Sequence, residues 1–170
     1  KKVLNNPHGL SPNKDLFDSD EEDLKKIIFD STSKKWIGPF VMAAINTRIV
    51  RRSNYLMDFK YGRDFIYNEA LVFGRSILSK FLGYFRLIPI YLISKNNNTL
   101  LKSLLKSFLT KPGQGPKVNS RKNGYFKFRF YIFNNKLRAL VSVDGIGCPG
   151  YGSTSKMLAE SSICLALDEI

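Results

Sequence analysis

Residues 36–56, WIGPFVMAAINTRIVRRSNYL, contain the clearest change of pattern in the chain. An apolar run over residues 36–45 ends at Asn46 and Thr47, and a helical pattern follows as far as about Leu56. Asn and Thr side chains accept hydrogen bonds from the unpaired N–H groups at the start of a helix. We therefore predict that a helix over residues 47–56 begins at this pair.

Three arginines of this predicted helix form a cluster. Arg48, Arg51 and Arg52 are spaced i, i+3 and i+4, so their guanidinium groups project from one side of a helix. Close to a helix N-terminus, such a cluster suits a phosphate or carboxylate, and the alternative is a solvated or salt-bridged face. Only three acidic residues lie between positions 34 and 140, which limits the internal partners and favours an anionic ligand.

Length, composition and charge bound the class of protein. The chain has 170 residues, of which 44% are apolar, and its 27 Lys and Arg against 14 Asp and Glu give a net charge of +13. These values are typical of one globular domain, or a domain and a piece, and exclude global disorder. Residues 34–140 hold 21 basic and three acidic residues, a local charge of +18. A block this basic predicts an anionic partner: nucleic acid, lipid head groups, or a phosphate-bearing cofactor or substrate.

Soft metal ligands are scarce. Two cysteines, Cys148 and Cys164, and the single His8 are too few for a Cys/His zinc site, so we predict no metal and an intracellular, reducing location. No stretch near the start is long and apolar enough for a signal peptide, and there is no initiator methionine. We expect the chain to be an internal fragment of a longer protein.

The remaining pattern predicts an α+β fold with a mixed, largely antiparallel sheet packed by helices. The polar residues 5–35 predict an exposed connection with at most one short helix. The last helix is apolar on most sides, so we predict that it is well packed, with Cys164 on its buried side. Asn134 and Asn135 turn a β-hairpin with one aromatic, buried face. The predicted elements are a short helix near residues 21–29, a strand over 65–73, a basic amphipathic helix over 99–110, hairpin strands over 124–133 and 137–144, and a helix over 153–168.

Residues 75–86 predict a helix with a narrow basic face and a wide apolar one. The polar arc holds Arg75, Ser76, Ser79, Lys80, Gly83 and Arg86. Three charges and the nearby Pro89 disfavour a helix that crosses a membrane. A position in the membrane interface suits it better, and the alternative is an ordinary core helix whose polar strip faces water. In the interfacial interpretation, the membrane-facing side chains are Ile77, Leu78, Phe81, Leu82 and Phe85.

Residues 145–150 spell G-x-G-x-x-G between a predicted strand and a predicted helix. This is the context of a dinucleotide-binding turn. Pro149 removes a backbone donor from that turn, and no second strand with a terminal acid follows. A structural strand-to-helix turn, in which the glycines serve tight backbone geometry, is the favoured alternative.

Four stretches, in order, resemble one known family. They are GPFVMAAINTRIVRRSN at 38–54, YGRDF at 61–65, KPGQGP at 111–116, and PGYG at 149–152 with Thr154 and KMLAES at 156–161. Together they resemble the saccharopine dehydrogenase-like oxidoreductases, which include the trans-acting enoyl reductases of bacterial lipid synthesis and eukaryotic relatives. Cys148 stands where the family usually has Asp.

The resemblance implies an NAD(P)-dependent oxidoreductase that acts on a lipidic or polyketide-like substrate. Such proteins begin with a Rossmann domain, which would bind most of the NAD or NADP and is missing here. Residues 1–35 would then be a linker and the end of the preceding domain, and residues 36–170 a substrate or oligomerisation domain with an interfacial segment at 71–93. The implied substrate- or cofactor-facing residues are Asn46, Arg48, Arg51, Arg52, Gly147, Pro149, Gly150 and Tyr151.

The resemblance also implies partners and a location. Eukaryotic members are associated with lipid droplets and membranes, so a peripheral position on a lipid surface and a homodimer are both expected. We expect the chain alone to be inactive, and no catalytic residue is carried over. Two rival functions remain, a membrane or lipid-droplet surface module without catalysis and a saccharopine reductase of lysine metabolism. Nucleic-acid binding rests only on the basic block and is the least favoured hypothesis.

Overall fold

The computed structural model describes residues 6–11, 22–95 and 115–168. The chain divides into two compact units, Lys1–Ser94 and Lys95–Ile170. Within the described residues there are two small antiparallel sheets and four helices, so the predicted α+β class is confirmed. The division falls inside residues 36–170, which the sequence analysis assigned to one domain. The helix predicted over residues 99–110 lies outside the described residues.

The first unit contains a three-stranded antiparallel sheet in the order β1 (Ile28–Asp30), β2 (Lys35–Pro39) and β3 (Ala70–Gly74). The short helix predicted near residues 21–29 is wrong for its described part, because residues 22–27 have no regular structure and β1 follows. Phe29 packs edge-on against Trp36 across the β1–β2 pair, with ring centroids 5.4 Å apart. This pairing supplies contacts that a short isolated helix lacks. The predicted boundary after residue 35 lies inside β2.

Helix α1 (Ala43–Leu56) begins four residues before the predicted start. Its N-cap is Met42, which provides no side-chain hydrogen bond to the helix. Asn46 and Thr47, the predicted cap, lie inside the helix, where the Asn46 side chain bonds to Glu69 and the Thr47 hydroxyl lies within hydrogen-bond distance of the Ala43 carbonyl and of Asp23. These long-range partners explain why two residues typical of a helix start are found inside the helix.

Strand β3 begins at Ala70, five residues later than the strand predicted over 65–73. The main-chain carbonyl of Tyr67 accepts a hydrogen bond from Nη2 of Arg51 at 3.3 Å. The Tyr67 hydroxyl donates to Oε1 of Glu69 at 2.8 Å. This segment therefore binds to α1 through polar groups, and only the residues after Glu69 pair with β2.

Helix α2 (Ile77–Lys95) begins two residues after the start of the amphipathic helix predicted at 75–86 and ends nine residues beyond it. The hydroxyl of Ser76, just before the helix, accepts a hydrogen bond from the N–H of Ser79 at 3.3 Å, which caps the first turn. Gly83 is buried, and a Cβ at this position would lie 2.8 Å from the ring of Phe73 and 2.9 Å from Cδ1 of Ile27. Glycine thus permits the close contact between α2 and the sheet. Among the described residues, no helix has the length and apolar character needed to cross a bilayer.

The second unit contains a short helix, α3 (Val118–Lys122), a hairpin of β4 (Tyr125–Phe133) and β5 (Arg138–Ile146), and α4 (Gly152–Leu167). The predicted hairpin and last helix are confirmed, with boundaries shifted by one or two residues. Oδ1 of Asn134 accepts hydrogen bonds from the N–H groups of Lys136 and Leu137 at 2.8 and 2.7 Å, which fixes the turn. Arg129 binds Asp144 across the two strands and lowers the pKa of that carboxyl below its usual range.

The apolar faces of this second unit are not buried as predicted. Phe128, Phe130 and Ile132, on the aromatic face of the hairpin, are all exposed, and so are most apolar side chains of α4. Ser153 is the one buried residue of α4. A two-stranded hairpin buries a face only when further strands or a helix pack on it, and the described residues leave the aromatic face of this hairpin exposed.

Candidate functional site

One side of α1 is polar and buried. Thr47, Arg48, Arg51 and Asn54 are each at most 3% exposed, and Asn46 at the border of this side is half-buried. We call these five residues the polar face of α1. Globular helices usually bury apolar side chains, so this helix has the reverse arrangement. It brings three of the predicted site residues, Asn46, Arg48 and Arg51, into one hydrogen-bonded region.

Arg48 is neutralised inside the first unit. Its guanidinium forms an ion pair with Asp23 and donates a hydrogen bond to the Thr47 hydroxyl at 2.7 Å. Oγ1 of Thr47 lies 3.1 Å from Oδ1 of Asp23. Asp23 lies before the acid-poor stretch 34–140 that contains the arginines. Acidic and basic residues that are segregated along a sequence can still meet in the folded chain.

Arg51 binds main-chain oxygens. Nη1 donates to the carbonyl of Pro7 at 3.1 Å, and Nη2 donates to that of Tyr67. Arg51 therefore connects α1 with a segment before β1 and a segment before β3. The guanidinium of Arg52, half-buried, lies over the ring of Tyr55 with 5.2 Å to the ring centroid. The three arginines thus have different surroundings, although their spacing predicted a common ligand.

Asn46 belongs to a half-buried trio that sequence analysis missed. Its Nδ2 donates to Oε2 of Glu69 at 2.9 Å, while the Tyr67 hydroxyl donates to the other carboxylate oxygen. Burial and the neighbouring Glu69 carboxylate raise the pKa of Tyr67 well above its ordinary value. The only sequence signal was that Glu69 is one of three acids between positions 34 and 140.

Asn54 was also missed as a structural residue. Its Nδ2 donates to the carbonyl of Gly62 at 2.8 Å, and its Oδ1 accepts from the N–H of Tyr61 at 3.0 Å. Asp58 and Phe59 in the intervening turn have positive φ angles of 53° and 58°. The buried amide therefore holds a turn in which two non-glycine residues adopt an unfavourable backbone conformation.

The predicted residues of the second unit lie in the turn between β5 and α4. Gly147 has a φ of 99°, a conformation that glycine adopts without strain. The Ser153 hydroxyl donates to the carbonyl of Ile146 at 3.0 Å. Pro149, Gly150 and Tyr151 are exposed, and the carbonyl of Pro149 accepts a hydrogen bond from the Thr154 hydroxyl.

This turn does not fit a dinucleotide pyrophosphate. The N–H of Gly147 donates to the carbonyl of Gly124 at 2.7 Å, and the N–H of Cys148 donates to that of Arg121 at 2.9 Å. Pro149 has no N–H, so three consecutive positions of the turn offer no free backbone donor to a phosphate. The ring of Phe126 lies 2.3 Å from where a Cβ of Gly145 would be, so the first glycine makes room for that ring.

The five residues predicted to face a membrane are all exposed in the first unit, and they are Ile77, Leu78, Phe81, Leu82 and Phe85.

Cys164 is exposed, contrary to the prediction that it lies on the buried side of its helix. A hydrogen bond with Asp168 raises the pKa of its thiol, which disfavours the reactive thiolate. Within residues 6–11, 22–95 and 115–168, no group of His, Cys, Asp or Glu is placed to hold a metal ion.

Comparison with known proteins gives one consistent result. The chain is 38% identical over 138 residues to a Mycobacterium tuberculosis protein named "Putative trans-acting enoyl reductase". It is 36% identical over 137 residues to the trans-acting enoyl reductase of Mycobacterium ulcerans, and 34% identical over 137 residues to that of Mycobacterium bovis. This chain resembles trans-acting enoyl reductases. Each match covers 78% of the chain.

The enoyl reductase-like chain spans about a third of the length of these curated relatives, 33% in each case. No family model matches it, and no solved structure does. The matches support the enoyl-reductase side of the resemblance drawn from the sequence.

Proposed function

We propose that this enoyl reductase-like chain is part of an NAD(P)-dependent oxidoreductase of the saccharopine dehydrogenase-like type, which acts on a lipidic or polyketide-like substrate. The observation that carries this proposal is the 34–38% identity to trans-acting enoyl reductases over 78% of the chain. Enoyl reduction adds a hydride and a proton across a C=C bond conjugated to a carbonyl group, and a nicotinamide cofactor would supply the hydride.

In this proposal the chain forms the substrate side of the reductase, and the dinucleotide is held mainly elsewhere. Two observations support this assignment. The N–H groups of Gly147 and Cys148 are already bonded within the second unit, and the Arg48 guanidinium is paired within the first. Of the assigned facing residues, Asn46, Arg52 and Gly147 are half-buried, and Pro149, Gly150 and Tyr151 are exposed. Arg48 and Arg51 would act as positioning residues by fixing α1.

The test uses a protein of the relatives' full length that contains this chain. Oxidation of NADPH and of NADH is followed at 340 nm with a medium-chain 2-enoyl thioester as the probe. We expect enoyl-dependent oxidation, and its absence with both cofactors would contradict the reductase assignment. Reduction that requires glutamate and an amino-acid semialdehyde instead would favour the rival saccharopine reductase.

A second measurement tests the position of the cofactor. The 170-residue chain is titrated with NADPH and NADH by calorimetry. We expect no binding in the micromolar range, because positions 147–149 of the G-x-G-x-x-G turn offer no free N–H group. Micromolar affinity of this chain alone would show that the dinucleotide is held here and would overturn the assignment.

A further inference from the structure

Helix α2 packs with the middle of its polar strip, Ser79, Lys80 and Gly83, toward the sheet, while Arg75, Ser76 and Arg86 are exposed. Buried Gly83 contacts the sheet next to Phe73 and Ile27, and Nζ of Lys80 lies over the Trp36 ring, 4.8 Å from its centroid. The alternative left open by the sequence, a core helix whose polar strip faces water, is therefore not the arrangement of this unit. A glycine with no room for a Cβ determines which side of α2 faces the sheet.

The opposite side of α2 is a wide apolar surface open to solvent. Phe81 is 62% exposed and Phe85 is 72% exposed. A helix of 19 residues is about 28 Å long, so this surface follows several turns. We call it the outer face of α2, and its exposed members are Ile77, Leu78, Phe81, Leu82, Tyr84, Phe85, Ile88 and Tyr91. An apolar surface of this extent marks an interaction site.

The charge around the outer face points to an anionic partner. No Asp or Glu occurs from Ala70 to the end of the first unit at Ser94, and this stretch contains Arg75, Lys80 and Arg86. Arg75, just before the helix, and Arg86, within it, are both exposed. By the helical period Arg86 lies beside Leu82, at the border between the outer face and the packed side. Long basic side chains at such a border can reach phosphate head groups while the apolar residues enter the acyl region.

We propose that the outer face of α2 docks on an anionic lipid surface, with the helix lying in the plane of the interface. Arg75 and Arg86 bind lipid phosphates. Phe81 and Phe85 enter the boundary between head groups and acyl chains. This inference goes beyond reductase activity and does not depend on it, because it rests on the packing and charge of the first unit.

The test is co-sedimentation of the full 170-residue chain with vesicles of phosphatidylcholine containing 30% phosphatidylserine. We expect the wild-type chain to pellet with these vesicles more than with pure phosphatidylcholine, and less at high salt. The double variant Phe81→Asp, Phe85→Asp should bind about tenfold more weakly or worse. Arg75→Ala and Arg86→Ala should each weaken binding to the anionic vesicles about fivefold, with little change on neutral ones.

The matched control is the double variant Ile49→Asp, Leu56→Asp on α1, which changes two other exposed apolar residues of the same unit. This control should bind the vesicles like the wild type. A loss of binding equal to that of the Phe81, Phe85 variant would mean that any exposed apolar residue of the unit supports binding, and it would contradict a specific role of the outer face of α2. Fluorescence of the single tryptophan, Trp36, reports whether each variant keeps the packed side of α2. Equal binding of wild type and the Phe81, Phe85 variant, or of anionic and neutral vesicles, would overturn the proposal. The arginine variants keep the test decisive if the phenylalanine variant fails to fold.

Discussion

The ion pair of Arg48 and Asp23 leaves 3% of the arginine side chain exposed, so its loss should be costly. Asp23→Asn removes the negative partner and leaves a buried guanidinium charge. We expect the free energy of unfolding to fall by about 3 kcal/mol, measured by urea denaturation. The control is Glu22→Gln, which removes the exposed ion pair of Glu22 with Lys25. Loss of that pair should lower the free energy of unfolding by less than about 0.5 kcal/mol. Similar losses in the two variants would contradict a buried role for Asp23.

Tyr67 gives a prediction in the alkaline range. Its pKa is raised by burial and by Glu69, so the folded state holds this proton more tightly than the unfolded state. The resulting stability is complete below pH 10 and is lost as the pH rises through the folded pKa. In a tyrosinate titration at 295 nm, Tyr67 should ionise well above the ordinary tyrosine pKa. Tyr67→Phe should remove absorbance from the most alkaline part of the curve, and an unchanged alkaline part would contradict the assignment.

At the scale of elements, the contact of α2 with the sheet depends on Gly83. Gly83→Val places atoms where the ring of Phe73 and Cδ1 of Ile27 already lie, so we expect urea denaturation to show a loss of about 2 kcal/mol. Gly152→Ala is the control, because a Cβ there would meet nothing within 4 Å. That substitution should be neutral or slightly stabilising. A neutral Gly83→Val would show that α2 does not pack at this residue.

The elements also show which structural features the sequence pattern predicts and which it does not. Periodicity located α1, α4 and the hairpin to within a few residues, and the first half of α2, because it reports that two sides of an element differ. It did not tell which side of α1 or α2 is buried. That choice came from contacts distant in the sequence: Asp23 with Arg48, Glu69 with Asn46, and Phe73 with Gly83. The start of β3 was missed for the same reason, since Tyr67 and Glu69 bind α1.

For the whole molecule, net charge opposes self-association and exposed apolar surface favours it. Both units expose large apolar side chains, which favours association, while a net charge of +13 keeps copies apart. We therefore expect self-association to rise with salt, because salt screens the repulsion. Sedimentation equilibrium should give a mean mass near the monomer value of 19.4 kDa at low salt and a higher one at 0.5 M. A mass that falls with salt would contradict this balance, and the expected homodimer remains a prediction.

The sequence by itself determined the α+β class, the hairpin, the basic middle of the chain and its likeness to enoyl reductases, because these depend on local pattern, composition and residue identity. Only the tertiary structure decided that the polar side of α1 and the glycine side of α2 point inward. It also decided that two N–H groups of the glycine turn at 145–150, those of Gly147 and Cys148, are bonded within the second unit. The physical reason is that burial and hydrogen bonding depend on partners brought from elsewhere in the chain, such as Asp23 for Arg48 and Arg121 for Cys148. Local periodicity does not specify those partners.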